Sequence, residues 1–154
     1  MPEASLMTPV GVVTIVESGG CLARVTWRAA EAGSLSPLLR TALGRLEGYF
    51  AGEPLAVSDL PLAPAPTAFQ ARIRTALCTL ARGTIITYGA LARDLGTSPR
   101  AVGTACGRNP LPLFVPCHRV VGAGHQPRGF SGAGGIATQR QLLALESITL
   151  AGVR

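Results

Sequence analysis

Residues 87–110 read TYGALARDLGTSPRAVGTACGRNP, and the rest of the chain is best understood outward from this stretch. The Thr87 hydroxyl can accept from a first-turn amide and cap a helix over about 88–95, which Gly96 stops. Ser98 followed by Pro99 is a second start signal, a cap with proline at the first helical position. That helix runs to about Arg108, where Asn109-Pro110 breaks it. Two short helices joined by Gly96-Thr97-Ser98 have the form of a helix-turn-helix. The second helix carries Arg100 in its first turn beside the small residues Ala101, Gly103, Thr104 and Ala105. A glycine inside a helix costs about 1 kcal/mol against alanine, so something compensates. Close packing on a neighbouring helix is one account. Close approach to a phosphate backbone or groove is the other, and Arg100 at a positive helix N-terminus favours it.

Upstream, Thr67-Ala-Phe-Gln70 has capping-box form and opens a helix with Phe69, Ile73, Ala76, Leu77 and Leu80 on one face. Gly83 ends it, and residues 84–87 are a short connector. Pro61-Leu-Ala-Pro-Ala-Pro66 is stiff and poor in ladder donors, which predicts a linker over 61–66. Before it, residues 8–27 read as two strands around Ser18-Gly19-Gly20, and Leu38, Leu39, Ala42, Leu43, Leu46, Tyr49 and Phe50 recur at helical spacing up to Gly52. The expected architecture is a small α/β N-terminal domain over 1–60, an antiparallel sheet plus a helix. A mainly α C-terminal domain with the helix-turn-helix follows over 67–154.

Charge changes sign at the same linker. Residues 1–66 hold four arginines and six acids, whereas 67–154 hold ten arginines and only Asp94 and Glu146; lysine is absent throughout. A one-sided positive field attracts polyanions, nucleic acid foremost. With 154 residues, 47% apolar and 14% charged, the chain is neither a disordered tail nor a charge-rich surface module. No run approaches the roughly 18 apolar residues of a membrane helix, and the first residues lack a basic-then-apolar leader, so a soluble cytoplasmic protein is expected.

Downstream, Cys117 stands between a stiff apolar approach, Leu111-Pro-Leu-Phe-Val-Pro116, and His118-Arg119. Cys21, Cys78 and Cys106 read as small buried hydrophobes. Cys117 differs because its neighbours can stabilise a thiolate, the nucleophilic form. No C-x-x-C pair exists and the only histidines are His118 and His125, so neither a zinc site nor any cofactor is expected.

Pro116-Cys117-His118-Arg119-Val120 resembles the active-site signature of the O6-alkylguanine-DNA alkyltransferases, the methylated-DNA–protein-cysteine methyltransferases. Thr87-Tyr88-Gly-Ala-Leu-Ala92, Leu95-Gly96, Arg100-Ala-Val-Gly103, Asn109-Pro110 and Leu142-Leu-Ala-Leu-Glu146 follow in that family's order, covering about 67–150. The resemblance implies direct-reversal DNA repair, with single-turnover transfer of an alkyl group from O6-alkylguanine to Cys117. O4-alkylthymine is a second candidate lesion. It implies His118 as base through a water, Glu146 as the group orienting the His118 ring, and Tyr88 as donor toward the departing guanine. Arg100 would fill the stack behind the flipped base. Gly89, Thr97, Ser98 and Ala123 would join Tyr88 and Arg100 in contacting double-stranded DNA through the minor groove. Asn109 would brace the turn before Cys117, and Pro112, Val120, Phe130 and Ser131 would shape the base pocket. A metal-free monomer is implied, with cooperative assembly on DNA left open.

Departures from the family pattern are Ala81-Arg82 before Gly83, Phe130 where many members have tyrosine, Leu145 before Glu146, and a 131–135 loop about two residues longer than usual. Two other readings compete. A non-catalytic DNA-binding module would lack the nucleophilic cysteine, which this chain has. A cysteine hydrolase would need a second histidine, and His125 in Gly122-Ala-Gly-His125 reads as a solvated loop residue.

Overall fold

A two-glycine turn sets the first sheet. In the computed structural model, which describes residues 1–30, 35–128, 130 and 132–148, β1 (Glu3–Thr8), β2 (Gly11–Ser18) and β3 (Cys21–Thr26) form an antiparallel meander. Gly19 and Gly20 both take positive φ, 58° and 76°, as the tight hairpin between the paired residues Ser18 and Cys21 requires. β1 was not foreseen. Glu3, Ala4 and Ser5 have weak strand preference, and the strand exists because β2 offers its ladder. Helix α1 (Pro37–Phe50) starts at Ser36, whose Oγ accepts from Leu39 N at 3.1 Å. It packs on this sheet through Leu39, Ala42, Leu46 and Tyr49, all buried, against Val13, Ile15, Leu22 and Val25. Each such large side chain contributes about 1.5–3 kcal/mol.

The chain divides into two compact units, Met1–Pro64 and Ala65–Arg154. The first half of the 61–66 stretch is not a free linker. Leu22 N donates to Pro61 O and Ala63 N to Leu22 O, both at 2.8 Å, so the segment pairs with the outer edge of β3. Proline lacks a donor but keeps its carbonyl, which is what this edge uses.

The second unit carries α2 (Ala68–Cys78), β4 (Ile86–Thr87), α3 (Tyr88–Leu95), α4 (Pro99–Gly107), β5 (Val120–Gly122), β6 (Gln126–Pro127) and α5 (Gly135–Leu145). Thr67, Thr87 and Ser98 cap α2, α3 and α4 through their hydroxyls at 3.0–3.1 Å. Gly96 ends α3 in the left-handed conformation, φ 67°. Arg72 of α2 donates to Leu95 O at 2.6 Å, satisfying a carbonyl at that helix end. α3 and α4 pack together as a helix-turn-helix, with α2 on α4. The short sheet has order β4-β5-β6, with β5 parallel to β4 and antiparallel to β6. Val102, Cys106, Leu111, Phe114, Val120, Val121, Leu142 and Leu143 are among its buried core. No helix among the described residues is long and apolar enough to cross a membrane.

Candidate active site

Twelve consecutive residues, 111–122, are buried, and they include a histidine and an arginine. Cys117–Arg119 is a single 3-10 turn, and β5 begins only at Val120. The turn is closed by Arg119 N donating to the Pro116 carbonyl at 3.1 Å. Before it, Asn109 Nδ2 donates to Val115 O at 2.9 Å and its Oδ1 accepts from Leu111 N at 3.0 Å. Those bonds clamp a loop in which Leu113 takes φ 78°, a left-handed conformation that costs a non-glycine residue about 1 kcal/mol or more.

The turn aims two polar side chains at one carboxylate. Glu146, at the C-cap of α5, accepts from His118 Nε2 at 2.6 Å, Arg119 Nε at 2.8 Å, Arg119 Nη2 at 3.1 Å and Gly83 N at 3.1 Å. Arg119 Nη1 reaches Leu80 O at 2.7 Å. Burial, the largest influence, holds the wholly buried His118 ring below its ordinary pKa of 6.5; Glu146 opposes this, while Arg119 and Arg82 reinforce it. The His118–Glu146 contact is therefore a hydrogen bond from neutral imidazole to an acceptor-only carboxylate. That assigns the proton to Nε2 and leaves Nδ1 as the basic nitrogen. Phe130 packs edge-on to the imidazole, ring centres 6.4 Å apart.

Gln139, fully buried on α5, completes the frame. Its Nε2 donates to His118 O at 3.1 Å and to Val120 O at 2.9 Å, gripping the turn on both sides of Arg119.

A cavity of about 630 Å³ opens beside this cluster, walled by Tyr88 and Gly89 of α3, Pro99, Arg100, Gly103 and Thr104 of α4, and Gly122, Ala123 and Arg128 of the β5–β6 segment. Tyr88 joins the two regions. It stands on the wall, its hydroxyl donates to Arg128 O, and it lies within electrostatic reach of Cys117 and Cys106. Burial pushes its phenol well above the ordinary 10, so the group serves as a hydrogen-bond donor at working pH. Cys117 itself is fully buried and does not line this wall. Cys106 is buried too, its thiol pushed far up by burial and by Cys117. Gly103 of α4 faces Tyr88: a Cβ there would meet Tyr88 Cε1 at 3.9 Å, an ordinary van der Waals contact.

Of the residues singled out from sequence, Tyr88, Gly89, Arg100 and Ala123 meet on this wall, and His118, Glu146 and Phe130 meet in the buried cluster. Ser98 lies on a second cavity of about 420 Å³, shared with Arg100 and Arg108. Thr97 sits in the interhelical turn, while Asn109, Pro112 and Val120 belong to the loop and strand framing Cys117. Ser131 lies outside the described residues. Gln139, Gly83 and Arg128 were missed, and Arg119, expected beside the Cys117 thiolate, instead engages Glu146. Arg119 had a signal: an arginine inside an apolar run needs a counter-charge, and residues 67–154 offer only Asp94 and Glu146.

Residues 68–148 match the family model for the 6-O-methylguanine DNA methyltransferase DNA-binding domain. The methylated-DNA–protein-cysteine methyltransferase of Mycobacterium tuberculosis (strain H37Rv) is 37% identical over 153 residues, spanning 90% of this chain and 88% of that one. The chain belongs to the O6-methylguanine-DNA methyltransferase family. A Methanosarcina acetivorans member is 44% identical over 109 residues, 70% of this chain and 68% of its own. The fold of these methyltransferases is shared as well: the M. tuberculosis OGT solved in complex with DNA superposes with a TM-score of 0.78 at 35% identity, covering 94% of this chain and 92% of that one. The archaeal methyltransferase from Pyrococcus kodakaraensis gives 0.64 at 25% identity, over 96% and 100% of the two chains.

Proposed function

We propose that this methyltransferase repairs alkylated DNA directly, taking the alkyl group of an O6-alkylguanine onto Cys117 once per molecule. The observation that carries the reading is the His118 ring, next to Cys117 in the chain and oriented by Glu146, with Tyr88 on the wall of the helix-turn-helix cavity and within electrostatic reach of Cys117. An alkylated guanine within a duplex hides its alkyl carbon, so the nucleotide leaves the stack at a cost of a few kcal/mol. Arg100, at the start of α4, fills the gap it leaves, with α4 entering the minor groove by its small-residue face.

The chemistry balances without a co-reactant. His118 Nδ1 takes the thiol proton through a water, and Cys117 sulfur attacks the alkyl carbon in line. The sulfur–carbon bond forms as the carbon–O6 bond breaks, and its electron pair goes to guanine. Tyr88 exchanges its bond to Arg128 O for one to the departing base, whose developing charge is quenched by a proton equal to the one lost from the thiol. The products are a thioether and guanine. A thioether has no easy reverse path, so turnover stops at one.

Duplex DNA carrying labelled O6-methylguanine tests this. Label recovered on the Cys117 peptide, at no more than one per protein, is the expected result. An intact lesion in a tight complex would make the protein a lesion-binding module instead.

A further inference from the structure

Two arginines face the 630 Å³ cavity, and only one has work to do in the reading above. Arg100 and Arg128 both line it, no carboxylate does, and among the described residues no hydrogen bond or ion pair engages either guanidinium. An alkylated guanine is a neutral base. It accounts for the cavity's size and its hydrogen-bonding wall, and leaves the double positive charge unexplained. Every extruded nucleotide, however, brings a phosphodiester on each side of it to the rim.

Arg128 is also held where such a group would pass. Its carbonyl accepts from the Tyr88 hydroxyl, fixing its backbone to α3. Its side chain lies over Gly122, with Cδ and Cβ at 3.5 and 3.8 Å from the position a glycine Cβ would take, so β5 forms a floor under the methylene stem. The guanidinium stays exposed beyond that floor. Stem on a support, head in solvent and no internal counter-charge is the arrangement of a residue kept for an external anion. Anchoring through Tyr88 further couples it to a side chain on the cavity wall that lies within electrostatic reach of Cys117.

Resting on the alkyl-transfer reading, we infer that Arg128 binds a backbone phosphate flanking the extruded nucleotide, making it a positioning residue that holds the DNA strand at the cavity rim while the base is out of the stack. Phosphate binding fixes register without reading sequence, so the contribution is the same for every sequence context. A phosphate contact also has a signature that a contact to the base or alkyl group lacks: it exists only when a phosphate is present, and it releases counterions.

The experiment compares wild type, Arg128→Gln and Arg128→Lys in three measurements. These are transfer rate from an O6-methylguanine duplex across a salt series, transfer rate from free O6-benzylguanine, and affinity for unmodified duplex across the same series. Arg128→Gln is expected to slow duplex transfer about three- to tenfold at low salt, the weight of one exposed charge-assisted contact. Its salt slope should fall by about 0.9, one phosphate. The rate with the free base should stay within about twofold of wild type, and Arg128→Lys should restore most of the duplex rate, because a point charge serves a phosphate. Equal losses on the duplex and the free base would assign Arg128 to the base and overturn the inference, as would an unchanged salt slope. Absence of transfer from either substrate by wild type would sink the alkyl-transfer reading instead, and the salt slopes of duplex affinity would still decide for or against the phosphate contact.

Discussion

The cluster around Glu146 and the wall of the adjoining cavity share Tyr88's neighbourhood yet are built on opposite principles. In the cluster the His118 and Glu146 side chains are sealed from water, and the carboxylate receives four donors from His118, Arg119 and Gly83. On the wall, Arg100 and Arg128 are exposed, and small residues at Gly89, Gly103, Gly122 and Ala123 leave space where side chains would stand. The first arrangement is finished before any ligand arrives, which suits a reaction whose barrier is lowered by preorganised groups. The second is incomplete by itself, which suits recognition of a large anionic partner. Substitutions in the two regions should therefore fail differently.

The largest effect is expected at Glu146. Glu146→Gln removes the counter-charge of a buried arginine, and losing one partner of such a pair costs about 3–5 kcal/mol. It also frees the His118 ring from its orientation. Chemical denaturation should show the stability loss, and alkyl transfer should fall for duplex and free-base substrates alike. A variant of wild-type stability that reacts normally would mean that the cluster is an ordinary core ion pair with no part in the chemistry.

Arg100→Ala should do the reverse. Stability should hold within about 0.5 kcal/mol, as for an exposed site without partners. Transfer from duplex should drop by more than tenfold, because an unstacked gap worth a few kcal/mol is left unfilled. The free base, which needs no flipping, should react as well as or better than before. Parallel losses on both substrates would erase the distinction between wall and cluster.

The helical side of the wall was legible from sequence, whereas Arg128 was not and the cluster was so only in part, for a physical reason. Caps, a helix-stopping glycine and a proline at the first helical position are local signals, so α3 and α4 were expected close to their observed bounds, with Arg100 and the small residues on one helix. Gln139 and Gly83 act on residues far away in the chain: Gln139 through an amide reaching carbonyls about twenty positions back, Gly83 through its own N–H. Backbone-directed bonds of that kind leave no residue pattern. β1 was missed on similar grounds, since its strand state is dictated by pairing with β2 rather than by its own composition.

Gln139 supplies the next smaller effect. Gln139→Met keeps the volume and removes both donors, leaving the buried carbonyls of His118 and Val120 each short of one hydrogen bond. An unsatisfied buried polar group costs about 1–3 kcal/mol. Part of that is offset, because Gln139 Oε1 is itself buried without a hydrogen-bond partner and disappears in the same substitution. A net loss of about 1–3 kcal/mol is expected, with a slower reaction on both substrates if the grip keeps His118 in place. A stability change with an unaltered free-base rate would confine Gln139 to a packing role.

The smallest effect is the pH dependence of stability, and its sign is opposite to that of a histidine gaining an ion-pair partner. His118 is faced by Glu146 from α5, by Arg119 beside it, by Arg82 from the segment after α2, and by the Phe130 ring. Burial, together with the two guanidiniums, outweighs the carboxylate and holds the folded-state pKa below 6.5. Between that lowered value and 6.5 the unfolded chain binds more protons than the folded one, so stability rises with pH. The contribution is complete above about pH 6.5, and it is lost as the pH falls from there through the folded value. Urea midpoints should therefore decline from pH 7.5 toward 5.5, and the alkyl-transfer rate should fall with an acid limb lying below 6.5 as Nδ1 becomes protonated. Stability that instead increased on acidification would make His118 a cation paired with Glu146. In that state the ring has no basic nitrogen to offer the Cys117 thiol, and the division between a prepared interior and an expectant wall would no longer hold.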